Sequence, residues 1–593
     1  MKKEAYIVLF LAFTSTLGFS QKTTNLHWWN PMSDSSKVIE GRGWDRPDIE
    51  GYGRLPKSAE GEVREPLWNL SKQSAGLSIR FISNSQNIVV RYKVKGGRAF
   101  NHMPATGVSG VDLYTKTNDG EWLWNRGLYA FGDTITYNYA NLKLKEPSHH
   151  NKGQEYMLYL PLYNEVEWLE IGKETNSIFN PLPKRKEKPV VVYGTSIMQG
   201  ACASRPGMAW TSILERSLDR PIINLGFSGN GRLEEEVLDY IEAIDAKLYV
   251  LDCLPNLSPT KERTLDFVFQ RIIASVKRLK STHPSTPILL VEHSGYSDGS
   301  TNKERYEIYS ELNNTLQKAY KQLVSEGVSD IHVLTREELS LGLDSYVDGT
   351  HPNDLGMQQY AQAYEVRIRD IIKESVGNTA TTIPVTQNRD ATVYNWNMRH
   401  QNILETNKIT SPKVCFIGNS IVHQWGGVPN MPVVNGADSW ERYLEKLGVK
   451  NFGYGWDRIE NVLWRVYHDE LDGFEAEQVL LKIGTNNLHL NSDKEIVEGL
   501  RFLIRAIKDR QPKAKITLLG LLPRRAQEDR IKALNYNIEI ITKELQIGYL
   551  SVVEPLLNSK GVINEKLFRD GLHPNARGYN KIAPLIEAYL LNK

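Results

Sequence analysis

Pro189-Val190-Val191-Val192-Tyr193-Gly194-Thr195-Ser196 is an apolar run ending on glycine, threonine and serine, and Val414-Cys415-Phe416-Ile417-Gly418-Asn419-Ser420 repeats the pattern. Apolar residues without polar alternation mark a strand buried on both faces, as in a parallel sheet. Each run is followed by the same ordered polar blocks. After Ser196 come Pro255-Asn256 and Asp348-Gly349-Thr350-His351-Pro352; after Ser420 come Gly484-Thr485-Asn486-Asn487 and Asp570-Gly571-Leu572-His573-Pro574. The serine and histidine lie 155 residues apart in the first copy and 153 in the second. One serine or one His-Pro means little, but an ordered set repeated at nearly equal length signals an internal duplication.

Outward from these runs, Leu248-Tyr249-Val250-Leu251, Ile288-Leu289-Leu290-Val291, Val479-Leu480-Leu481-Lys482-Ile483 and Ile516-Thr517-Leu518-Leu519 read as further buried strands. Between them lie helical stretches such as Glu304 to Ser325, with Ile308, Leu312, Leu316, Tyr320 and Leu323 on one face. Alternation of this kind predicts two three-layer α/β/α domains with parallel sheets. We place them at residues 186–375 and 392–593, with a helix from Tyr394 to Leu404 leading into the second. The threonine-rich stretch from Val376 to Gln387 reads as the core of a linker spanning 376–391.

Residues 25–185 have period two instead. Leu77, Ile79 and Phe81 alternate with polar neighbours, as do Ile88, Val90, Tyr92 and Val94, with Ser83-Asn84-Ser85-Gln86-Asn87 as the turn between them. Further strands are expected at Tyr156–Leu162 and Val166–Ile171. The expectation is a β-sandwich.

The 593 residues suit several domains, and the formal net charge of +2 gives no reason to expect nucleic acid. Lys2 and Lys3, the apolar run Ala5 to Phe13 and the small residues near Ser20 read as a signal peptide over residues 1–20. That run is too short to span a bilayer, so an exported protein, periplasmic or secreted, with no membrane span is expected. Three cysteines, Cys202, Cys253 and Cys415, are too few for a disulfide framework; a Cys202–Cys253 bridge is left open. No Cys/His cluster has metal-ligand spacing, no cofactor is expected, and His149-His150 reads as an exposed loop pair.

A serine hydroxyl needs a base within hydrogen-bond reach to become a nucleophile. His351 and His573 are the candidate bases, and Asp348 and Asp570, three residues earlier, can orient them. Asn256 and Asn486 follow strands and can donate side-chain N–H groups to a developing oxyanion. The turns Asn224–Gly229 and Asn451–Trp456 can add a backbone donor. For His423, Trp425 and Trp440, substrate contact and core packing stand equal; His293 reads as structural. Neither copy has Gly-x-Ser-x-Gly, which argues against the α/β-hydrolase fold.

These blocks resemble the SGNH (GDSL-like) hydrolase superfamily. The second copy looks particularly like brain platelet-activating-factor acetylhydrolase catalytic subunits, on Asn451–Gly455, Val462-Leu463-Trp464-Arg465, Gly484–Asn487, Asp570 and His573. Gly110-Val111-Asp112-Leu113-Tyr114 resembles the motif of the GxDLY domain, and a jelly roll ahead of such a hydrolase resembles carbohydrate esterase family 2. By position the resemblance assigns the family roles to Ser196, Gly229, Asn256, Asp348 and His351, and to Ser420, Trp456, Asn486, Asp570 and His573. Trp456 departs from the usual glycine, and the first Gly-x-Asn block has become Asp252-Cys253-Leu254-Pro255-Asn256. The resemblance implies a serine esterase acting on acetylated polysaccharide or oligosaccharide, an implication to which 13 tryptophans and 28 tyrosines are congenial. A lipid or aryl esterase, a sugar O-acetyltransferase and a glycan-binding protein with decayed sites are the alternatives. The sequence does not set the oligomeric state.

Overall fold

The structure, a computed structural model, describes residues 25–117, 120–142 and 153–592. The expected signal peptide and the His149-His150 pair lie outside the described residues.

In the first α/β unit, β1 (Val190–Gly194), β2 (Ile222–Gly226), β3 (Leu248–Asp252), β4 (Ile288–Val291) and β5 (Ile331–Leu334) form a parallel sheet in the order β2-β1-β3-β4-β5. The second unit repeats it: β6 (Val414–Gly418), β7 (Val449–Gly453), β8 (Gln478–Lys482), β9 (Lys515–Leu519) and β10 (Gly548–Leu550) lie in the order β7-β6-β8-β9-β10. Alternate residues of each strand feed opposite layers. Val191 and Tyr193 join the core with helices Leu265–Thr282 and Lys303–Ser325; Val190 and Val192 join the one with Trp210 and Tyr364. Strand order reverses beside β1 and β6, and such a switch point is where open parallel sheets gather ligands, beyond the strands' carboxyl ends.

The N-terminal segment is two antiparallel sheets packed face to face around Leu77, Ile79, Phe81, Ile88, Val90 and Tyr92. Strands Ser78–Ser83 and Ile88–Val94 do not pair with each other. The first pairs with Gln154–Tyr159 and the second with Val166–Glu174, so residues 84–87 arch between the sheets instead of closing a hairpin. Alternation reveals a strand, but its partner is decided by tertiary packing.

The threonine-rich connection is not a free tether. Thr381 and Thr382 are buried in a short 3-10 turn, Thr381 Oγ1 donates to the Glu495 carbonyl, and Gln387 Nε2 donates to the Gly455 carbonyl. The expected lead-in helix spans Trp396–Ile409. Cys202, Cys253 and Cys415 are buried and free, so the Cys202–Cys253 bridge does not form. Among the described residues no helix is long and apolar enough to cross a membrane.

Candidate active sites

Each candidate nucleophile opens a four-residue helix directly after its strand, Ser196–Gln199 after β1 and Ser420–His423 after β6. Each candidate base sits in a tight turn before a long helix, Asp354–Ile371 or Ala576–Leu591. The turn needs a left-handed residue between aspartate and histidine; Gly349 (φ +80°) and Gly571 (φ +82°) supply it without steric cost. In the first site Ser196 Oγ lies 2.9 Å from His351 Nε2, and His351 Nδ1 lies 2.7 Å from Asp348 Oδ2. In the second, Ser420 Oγ is 2.8 Å from His573 Nε2 and His573 Nδ1 is 2.8 Å from Asp570 Oδ2.

The other carboxylate oxygen closes each turn. Asp348 Oδ1 accepts the N–H groups of Thr350 and His351, and Asp570 Oδ1 those of Leu572 and His573. Burial pushes both carboxyl groups up, but these N–H groups and the imidazole hold them below the ordinary aspartate value. Both aspartates are therefore anionic at neutral pH, so the imidazole can donate from Nδ1 and accept the serine proton at Nε2. Burial lowers the pKa of His573; Asp570 opposes this, while Arg569 and Lys482 add to it.

The turns after β2 and β7 are matched in backbone although their residues differ. Gly229 has φ +69° and Trp456 φ +64°. A Cβ at Gly229 would meet nothing within 4 Å, so the space tolerates a side chain; what glycine supplies is the conformation. An indole held there carries strain of about 1–3 kcal/mol and is 53% exposed. Asn256 and Asn486 both lie four residues beyond the last strand residue, in short 3-10 turns, which fixes the register of Asn256. Asn256 Oδ1 accepts Gly231 N–H at 3.1 Å, whereas Asn486 Nδ2 donates to the Asp457 carbonyl at 2.9 Å. Each asparagine is thus tied to the glycine or tryptophan turn.

Of the two supports of these turns, Gln199 was not singled out in the sequence, and His423 was weighed there only between substrate contact and core packing. Ser228 N–H donates to Gln199 Oε1 in the first unit, and Gly455 N–H to His423 Nδ1 in the second, both at 3.0 Å. Glutamine and imidazole do the same task at the same position after the serine. His423 is therefore a buried positioning group; Trp425 and Trp440 are core, at 1% and 2% exposure. His293 is buried too, its Nδ1 accepting Gly295 N–H.

The last residues of β3 and β8 differ more. Asp252 and Lys482 each pair in register with the glycine before the nucleophile's turn. Burial pushes the Asp252 carboxyl up to about 7, and Tyr364 O–H donates to it. Lys482 Nζ is buried with no hydrogen-bond partner among the described residues, and burial lowers its pKa to about 7.

The β-sandwich reaches the first site. Asp112, from the Gly-x-Asp-Leu-Tyr stretch, accepts Gly207 N–H at 2.8 Å and Arg205 Nη1 at 2.9 Å, while Tyr114 Oη accepts Arg205 Nη1 at 2.7 Å. The stretch is a latch onto the segment after the nucleophile helix. Beyond it, ligand atoms of His102, Cys202 and Asp348 lie within 4.8 Å of one another, a grouping that sequence spacing could not reveal. Both Asp348 oxygens already accept hydrogen bonds from the His351 turn, and burial raises the Cys202 thiol to about 12. That chemistry is a poor fit to a resident metal.

Residues 187–369 and 416–581 each match the GDSL-like Lipase/Acylhydrolase family, and residues 26–179 match the GxDLY family, described as the N-terminus of Esterase_SGNH_hydro-type. Platelet-activating factor acetylhydrolase IB subunit alpha1 of Bos taurus is 26% identical over 201 residues, 33% of this chain and 82% of that protein. Subunit alpha2 of the same species is 31% identical over 199 residues, 32% and 82%. A solved Bacteroides ovatus protein described as a GDSL-like lipase is 30% identical with a TM-score of 0.53, covering 59% of this chain and 98% of its own. With its matched blocks, its parallel sheets and these relatives, the chain belongs to the SGNH (GDSL-like) acylhydrolases and carries two such units behind a GxDLY domain.

Proposed function

We propose that the protein is an exported serine esterase with two working sites, removing short acyl groups, chiefly acetyl, from polysaccharides or oligosaccharides. The observation that carries this reading is the serine–histidine–aspartate chain assembled twice at hydrogen-bond distance. Ser196 or Ser420 gives its proton to Nε2 as Oγ bonds to the ester carbon. The oxyanion is met by the serine N–H, the N–H of Gly229 or Trp456, and the amide of Asn256 or Asn486. His351 or His573 then returns the proton to the departing sugar oxygen, which leaves as the hydroxyl. Water, deprotonated by the same imidazole, releases the acyl group as carboxylate and frees the serine. The basic and apolar start of the chain supports export, and the exposed rings of Phe100 and His102 near His351 and of Trp456 in the turn after β7 support a glycan.

The test is p-nitrophenyl acetate turnover by Ser196→Ala, Ser420→Ala and the double variant. Each single variant should keep the other site's rate, and the double variant should lose about a thousandfold or more. Unchanged turnover in the double variant would refute the mechanism. Acetate release from acetylated xylan, mannan, pectin and xyloglucan identifies the polymer.

A further inference from the structure

The first site has one wall that does not come from its own α/β unit. Residues 98–104 of the β-sandwich carry Phe100 and His102 to the catalytic turn. The His102 ring lies 6.0 Å from the His351 ring at 24°, and Phe100 continues the row at 6.0 Å and 20° from His102. Phe100 packs edge-on against Tyr163, whose O–H donates to the Ser196 carbonyl. The row therefore runs from the base back to the nucleophile.

Its support is rigid while its faces are open. Phe100 and Met103 exchange backbone hydrogen bonds, and Met103 is buried beneath them. Thr106 Oγ1 donates to the Ser204 carbonyl, and Gly107 lies so close to the Ala203 carbonyl that a Cβ would come within 2.2 Å of it. Yet Phe100 is 41% exposed and His102 is exposed. An apolar ring held firmly but left uncovered beside a reacting histidine is what a ligand's flat face requires. In the second site the exposed ring is Trp456 instead, in the turn after β7.

We propose that Phe100 and His102 form a platform for the pyranose ring of the ester's alcohol half, making the β-sandwich part of the first active site. This rests on the glycan-esterase reading above. Phe100 takes the C–H face of the sugar, and His102 adds a ring nitrogen for a hydroxyl next to the acetylated position. The two sites then present different ring geometries to the same polymer, and their preferred sugar positions differ.

The experiment uses the full chain with Ser420→Ala, so that only the first site turns over. Phe100→Ala/His102→Ala should raise KM for an acetylated oligosaccharide about tenfold while kcat holds. The ratio of its kcat/KM to that for p-nitrophenyl acetate should fall about tenfold. His102→Tyr, which keeps a flat ring, should recover most of the ratio in the presence of Phe100. An unchanged ratio, or an equal loss on both esters, overturns the platform. A Ser420→Ala parent that releases acetate from neither ester overturns the esterase reading of the first site and this inference with it.

Discussion

His573, the proposed base of the second site, lies close enough to Lys482 to feel its charge, and that ammonium has no ion-pair partner among the described residues. The counterpart of His573 across the duplication, His351, has Asp252 at the corresponding strand end, satisfied by Tyr364. In the second unit the residue aligned with Asp252 is Lys482, buried and without a hydrogen-bond partner among the described residues. A cation in a poorly solvated layer disfavours a second one, and Lys482 is among the groups that lower the His573 pKa, after burial itself. Only neutral imidazole can take the serine proton, so activity falls as pH drops through this pKa. In the Ser196→Ala chain the acid limb of kcat/KM should therefore lie below the ordinary histidine value of 6.5. Lys482→Met removes one lowering influence, and the limb should move up toward 6.5. A pH profile of both chains checks this; a limb that stays put or moves down would remove Lys482 from the account. At the same scale, Gly229 and Trp456 show that the proposed oxyanion turn selects a backbone conformation before it selects a residue.

At the scale of elements, the Gly-x-Asp-Leu-Tyr strand acts through what it holds. Asp112 Oδ2 accepts Gly207 N–H and Arg205, and its Oδ1 accepts Trp124 Nε1. Asp112→Ala leaves those donors without their acceptor, a loss of about 2–3 kcal/mol. It should slow p-nitrophenyl acetate turnover in the Ser420→Ala chain and leave the Ser196→Ala chain at its parent rate. Equal slowing in both would mean general unfolding. How far such elements could be read in advance followed their locality. The strand-turn-serine and the Asp-Gly-x-His turn are short-range devices, and both were legible, as were the paired α/β units. The latch was visible as a motif, but its mate at Arg205 and Gly207 was not. Phe100 and His102 carried no signal at all, because their neighbour His351 is brought there by docking of two domains. The residues 84–87 arch and the buried threonines of the connection failed for the same reason: composition reports local preference, and the partner is chosen by packing.

At the scale of the whole molecule, Asp219 is the point where three parts meet. Its Oδ2 accepts Lys116 Nζ of the sandwich at 2.6 Å and Trp464 Nε1 of the second unit at 3.0 Å. Its carbonyl meets His468 Nε2 at 3.2 Å, and His468 stacks on Trp464 at 3.6 Å. Beside it Arg220, fully buried, donates to the Tyr467 carbonyl and pairs with Glu374 and Asp469. The two hydrolase units are thus joined through charged groups largely withdrawn from water, which are costly when half of a pair is removed. Burial pushes the Asp219 carboxyl up, but Lys116, Arg185 and His468 outweigh it and bring the pKa down to about 2, against 3.8 in the unfolded chain. A depressed carboxylate contributes stability that is complete above the unfolded value and is lost as pH falls through the folded one. Asp219→Asn keeps an acceptor but deletes the charge, and it should cost roughly 2–3 kcal/mol at neutral pH by that shift. Calorimetry should show a lowered Tm at pH 7, with the deficit steady down to about pH 4 and shrinking below 3.8. An unchanged Tm at pH 7 would mean that the sandwich and the two hydrolase units do not depend on this junction to stay together.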